Sequence, residues 1–164
     1  MLGQHLALQG EVERGIALIR EARETYQSSG DVRGLSITSS NYGFSEFYAG
    51  RYESAQKLFA ETLPFVAETG DRWQAGVTHI SLAAIAALQD ERFGEAAVLL
   101  AAGDSHLEEL GVPLPPFMLP IRQSAEAALR EHLDPEELRK AREAGSRLTV
   151  RQSVDYVRQM LDSR

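Results

Sequence analysis

Gly50-Arg51-Tyr52-Glu53-Ser54-Ala55-Gln56-Lys57-Leu58-Phe59 decides the fold, because the chain writes this stretch three times. Gly10-Glu11-Val12-Glu13-Arg14-Gly15-Ile16-Ala17-Leu18-Ile19 stands 40 residues before it, and Glu91-Arg92-Phe93-Gly94-Glu95-Ala96-Ala97-Val98-Leu99-Leu100 begins 41 residues after it. Gly30, Gly70 and Gly111 keep the same step. A fixed period of this size marks a stacked helical array. Such arrays position other molecules more often than they carry out chemistry.

Each repeat reads as two antiparallel helices. In the second, helix A runs from Val32 to Ala49 and helix B from Tyr52 to Glu68. In the third, the two helices run from Arg72 to Gln89 and from Phe93 to Leu110. The A–B turns are expected at Gly10, Gly50 and Glu91, and the B–A turns at Gly30 and Gly70. Glycine suits these places because it accepts the left-handed conformation that ends helices. Asp31 and Asp71 stand where an N-cap belongs. Small residues recur at Gly3, Gly43 and Ala84, and again at Gly15, Ala55 and Ala96, where two helices approach closely. Large apolar residues recur at Val12, Tyr52 and Phe93, and at Ile19, Phe59 and Leu100, where they fill the remaining space.

The last third is not a repeat. Leu110-Gly111-Val112-Pro113-Leu114-Pro115-Pro116 is too rich in proline for a helix and reads as a rigid connector. A helix over Phe117–His132 follows. Asp134-Pro135-Glu136-Glu137 opens another, which Gly145 is expected to end. Thr149-Val150-Arg151-Gln152 is a capping box for a final helix to Leu161.

Composition narrows the function classes. The hydrophobic fraction of 43% and charged fraction of 25% are those of an ordinary globular protein. There is no cysteine, which excludes disulfides and thiolate-held metals. The longest apolar run, Leu82 to Leu88, is far too short to span a membrane. The start, Met1-Leu2-Gly3-Gln4-His5, has no basic signal-peptide region, so a cytoplasmic location is expected. The net charge of −7 argues against direct nucleic-acid binding. From Pro120 onward there are 9 basic and 8 acidic residues, against 8 and 16 before it, so the acidity sits in the repeats.

Tyr42-Gly43, Gly50-Arg51-Tyr52, Ala55 and Phe59 together resemble the tetratricopeptide repeat. The fold expected is therefore all-α: a tetratricopeptide-like αα superhelix of antiparallel helix pairs with a C-terminal helical cap. Residues 1–111 hold about two and a half repeats, and residues 112–164 hold the connector and capping helices of the same domain. The period exceeds the family's usual length, which implies extended helices. The first repeat starts inside its helix A, so further repeats are expected upstream. That end would leave Leu2, Leu6 and Leu8 uncovered and open to self-association.

The segment from His106-Leu107-Glu108-Glu109-Leu110-Gly111 through Val112-Pro113-Leu114-Pro115-Pro116 extends the resemblance. Ala141-Arg142-Glu143-Ala144-Gly145-Ser146-Arg147-Leu148-Thr149 and Ser153-Val154-Asp155-Tyr156 carry it to the tail. These stretches are similar to the C-terminal sensor region of large bacterial signalling ATPases, the LuxR-type transcriptional regulators and adenylate-cyclase-linked ATPases. The resemblance implies a non-enzymatic interaction or sensing module of a multidomain regulator. Its partners would be a protein or other domains of its own parent chain. Alternatives are a groove that takes a small-molecule effector, or a stand-alone tetratricopeptide scaffold. In such stacks the A helices line a concave groove. The matching residues here are Gln4 and Leu8, then Ile37, Ser40, Phe44, Phe47 and Tyr48, then Ser81, Ile85, Leu88 and Gln89. Phe44, Phe47 and Tyr48 span too wide an arc to enter one seam, so at least one should be exposed or covered by something else.

Other constellations carry little. No phosphate-binding loop or dinucleotide fingerprint occurs, and no cofactor is expected. His106 and Glu109 share a helix face, as metal ligands can, but a solvated surface explains them as well. Glu136 and Glu137 fit a first helical turn better than an acid–base pair. Leu148-Thr149-Val150-Arg151-Gln152 resembles the opening of a LuxR-type helix-turn-helix, and a capped helix packed on the last repeat is the simpler reading. No catalytic residue and no metal ligand is assigned.

Overall fold

The computed structural model describes residues 12–163, and all their regular structure is helical. The helices are α1 (Val12–Ser29), α2 (Val32–Tyr48), α3 (Tyr52–Ala60), α4 (Leu63–Thr69), α5 (Arg72–Leu88), α6 (Phe93–Leu110), α7 (Leu119–His132), α8 (Pro135–Ser146) and α9 (Val150–Asp162). A 3₁₀ turn, Pro116–Met118, leads into α7. No helix among the described residues is long and apolar enough to cross a membrane.

The turns fall where the repeats place them. Gly30, Gly50 and Gly70 all have positive φ, of 70°, 75° and 66°. Glu91 alone among the described non-glycine residues does so, at 54°. Asp31 accepts from the Gly34 amide and Asp71 from the Gln74 amide, each at 2.9 Å, so both A helices start on the same cap. Each then runs 17 residues. The change of step from 40 to 41 lies in the A–B turn. Around Gly50 the closing bond joins the Arg51 amide to the Glu46 carbonyl, whereas around Glu91 it joins the Arg92 amide to the Ala86 carbonyl, one residue further back. Asp90 is the added residue. Past the turn the chain is back in register: Arg51 has φ −90° and ψ 65°, and Arg92 has φ −95° and ψ 62°. Gly10 lies outside the described residues.

A side chain at positive φ is strained by roughly 1–2 kcal/mol. Glu91→Gly is therefore expected to stabilise the chain by about 0.5–1 kcal/mol, the remainder being lost to the freer unfolded glycine. A chemical melt that shows a loss of stability would mean that the Glu91 side chain outweighs the strain.

The chain divides at Phe65/Val66 into two compact units. The helices after the connector belong to the second unit: α7 packs on α5 and α6, α8 on α6, and α9 on both α5 and α6. The third helix pair and the tail therefore share one unit. Met118, Ile121, Ala125 and Leu129 supply its buried apolar row from the connector and α7.

In the first unit α2 packs between α1 and α3. Phe59 is fully buried and lies across Gly43, where a Cβ would come within 2.8 Å of its ring. Phe44 meets the same ring edge-on at 5.1 Å between centroids. Ala55 is also fully buried.

Helix B of the second repeat is shorter than expected. It stops at Ala60 and resumes at Leu63. Pro64 is the cause: its ring cannot face the carbonyl four residues earlier, which is that of Ala60. Gly145 also departs from its expected role. It lies inside the last turn of α8 rather than after it, and a Cβ there would overlap the Val98 carbonyl of α6. Its absent side chain lets α8 approach α6. Asp134 and Thr149 form capping boxes at the starts of α8 and α9.

A charged cleft as the candidate functional site

The expected groove residues fall in both units, and each unit's set is described by itself. Gln4 and Leu8 lie outside the described residues. On α2, Ser40, Phe44 and Phe47 are buried, while Ile37 is 43% and Tyr48 37% exposed. Phe47 packs edge-on against Tyr52 at 5.0 Å and against Tyr48 at 6.0 Å. On α5, Ser81 and Ile85 are buried, and Leu88 and Gln89 are exposed at its C-terminal end. The Ser81 hydroxyl is occupied, donating to the Val77 carbonyl at 2.7 Å. On α5 the physical reason is all-round burial, which runs from Gln74 to Ala87 without a break. A helix covered on every side has no face left for a ligand except at its ends.

The other constellations resolve into structural roles. His106 turns inward to Ser153, at 3.0 Å, and Glu109 pairs with Arg72 at the surface. Glu137 closes the capping box with Asp134, and Glu136 pairs with Arg139 at 2.8 Å. Helix α9 lays Ser153, Val154, Val157 and Met160 inward, which is the capped, packed helix.

A cleft of about 540 Å³ lies among α6, α7 and α8 in the second unit. Its floor is Ala97, Leu100 and Ala101 of α6, and the two short alanines leave the space open. Its walls are charged. The Arg122 guanidinium grips Asp104 with a fork, Nε donating to Oδ1 at 2.9 Å and Nη2 to Oδ2 at 2.7 Å. This pairing raises the affinity of Arg122 for its proton. Glu126 accepts from Arg130 Nε at 2.7 Å and from Arg142 Nη2. Burial pushes the Glu126 carboxyl up, and the two guanidiniums outweigh that and hold it below the usual range. Its second oxygen, Oε2, is buried and has no hydrogen-bond partner among the described residues. Glu108 and Glu143 add negative charge at the rim.

Two hydroxyls line the cleft, and both face carbonyls rather than a base. Ser105 donates to the Ser146 carbonyl at 3.2 Å, and Ser146 donates to the Glu143 carbonyl at 3.2 Å. The arrangement therefore offers fixed, alternating charges over an apolar floor, which suits recognition of a charged or zwitterionic group.

The sequence reading missed this cleft. A local signal was present: Asp104 and Glu108 on one helix, and Arg122, Glu126 and Arg130 on another, recur at the spacing of one helix face. What joins the two rows is the return of the chain through the proline-rich connector, which no local pattern encodes. Compared with known proteins, the chain matches no family model, no curated protein and no solved structure.

Proposed function

We propose that the chain is a non-enzymatic interaction and sensing module, built as a tetratricopeptide-like superhelix, within a multidomain bacterial transcriptional regulator. One observation supports it above the rest. Two successive helix pairs repeat the same device, from aspartate cap through a 17-residue helix and a left-handed turn to an arginine at the start of helix B. Repeats of this kind serve as rigid scaffolds that present surfaces. The cleft of α6, α7 and α8 is the surface assigned to the partner, another domain of the parent regulator. Its volume of about 540 Å³ and its paired charges favour a second reading, a small charged effector held in the same place.

Ser105→Trp separates site from scaffold. Ser105 stands at the cleft wall, half-buried, so an indole there fills the space without entering the core. Titration of the remaining regulator domains into the folded variant is the test, and its outcomes are set out in the Discussion.

A further inference from the structure

His79 of α5 and His106 of α6 are both fully buried, with ring centroids 5.7 Å apart. Of their four ring nitrogens, three have no hydrogen-bond partner among the described residues: both of His79 and Nδ1 of His106. The fourth, Nε2 of His106, lies 3.0 Å from the hydroxyl of Ser153 on α9. That hydroxyl also contacts the Val150 carbonyl at 2.8 Å. A carbonyl only accepts, so the hydroxyl proton goes to Val150 and Nε2 of His106 carries the hydrogen that Ser153 accepts. Nδ1 is then the bare nitrogen, and an acid proton placed there meets no acceptor.

We propose that this buried histidine pair makes the docking of α9 sensitive to acid, so that the C-terminal helix is released in mildly acidic solution while the α5–α6 pair stays folded. Helix α9 packs on both α5 and α6 and hydrogen-bonds one ring of the pair through its own buried Ser153. The helix is otherwise held by Val150, Val154, Val157 and Met160, and by Arg92, which donates to the Ser163 hydroxyl at 2.8 Å. None of these groups changes charge in mild acid.

The charged surroundings do not rescue a proton on the pair. Burial and the neighbouring His106 hold His79 down to about 3. Burial, followed by Arg72 of α5, also lowers His106, and Glu109 of α6 opposes that without overcoming it. On α7 and α8, Arg122 is paired with Asp104 and Arg142 with Glu126 in the cleft. Helix α9 buries Val150, Ser153, Val154, Val157 and Met160, its half-buried Tyr156 lies by Arg92 and Glu95, and its Arg151, Asp155, Arg158 and Asp162 are exposed. The sign follows. The docked state binds no proton on the pair, and release uncovers the rings and removes the Ser153 contact, so the released state binds protons at values closer to the ordinary histidine value of about 6.5. Docking is therefore at full strength above that pH and weakens as pH falls below it. One imidazole contributes up to about tenfold per pH unit to the opening equilibrium, and the second, with its ring centroid 5.7 Å away, adds less because the two charges repel.

Hydrogen exchange of the whole chain tests this, with rates corrected for their intrinsic pH dependence. Peptides from α9 are expected to lose at least about tenfold in protection between pH 6.5 and 5.0, while peptides from α5 and α6 lose much less. His79→Leu removes one titrating ring together with its unpartnered nitrogens and is expected to flatten the slope. Protection of α9 that ignores pH would overturn the proposal. So would equal losses in α9 and in α5–α6, or a His79→Leu chain with the parent's slope. Should His79→Leu fail to fold, ring-proton NMR of the parent decides: both imidazoles remaining neutral at pH 5.5 in the docked form supports the proposal, and either titrating near 6.5 with α9 still docked refutes it.

Discussion

Phe59→Ala is expected to lower the stability of the chain by about 3–5 kcal/mol, the cost of deleting a buried aromatic ring that its neighbours cannot close over. Phe59 is fully buried, its ring lies over the bare backbone of Gly43, and its edge contact with Phe44 is at 5.1 Å. Helix α2 is held by its own packing on both sides, so the void persists. Urea melts followed by circular dichroism are the measurement, because the single tryptophan, Trp73, lies in the other unit. A loss below about 1 kcal/mol would mean that the site collapses or that the ring is not in the seam.

Gly43→Leu should cost about 2–4 kcal/mol for the opposite reason. A Cβ alone would stand 2.8 Å from the Phe59 ring, and the rest of a leucine must push α2 and α3 apart. The two changes act on one contact and should not add. In a Phe59→Ala background the leucine finds the vacated space, so its cost should fall by at least about 1 kcal/mol. Equal costs in both backgrounds would place Gly43 against some other residue.

How much of this could be read beforehand depended on whether the cause was local. The turns at Gly30, Gly50, Gly70 and Glu91, and the caps at Asp31, Asp71, Asp134 and Thr149, follow from residues within four positions of each other, and the structure has them all. Gly43 and Phe59 were legible because the repeat names the same places three times. Pro64 was equally local and was overlooked, so α3 ended early. Gly145 shows the limit from the other side. A glycine near a helix end looks like a stop, and only the Val98 carbonyl of a helix over 40 residues away gives it a different role. The burial of Phe44, Phe47, Ser81 and Ile85 was hidden for a related reason: sequence marks the apolar residues of helix A but not how many neighbours cover them. Asp104, Arg122, Glu126 and Arg142 come together only through the fold of the tail. The buried His79–His106 pair gave no sequence signal, since a histidine inside an apolar helix looks the same whether buried or exposed.

The most direct test of the proposed recognition role is calorimetric titration of the chain with the remaining domains of its parent regulator, before and after Ser105→Trp. Circular dichroism first establishes that the variant keeps its helices. Saturable binding by the parent form and at least tenfold weaker binding by the variant are expected. Equal affinity for the two forms, or no binding by either, would contradict that role.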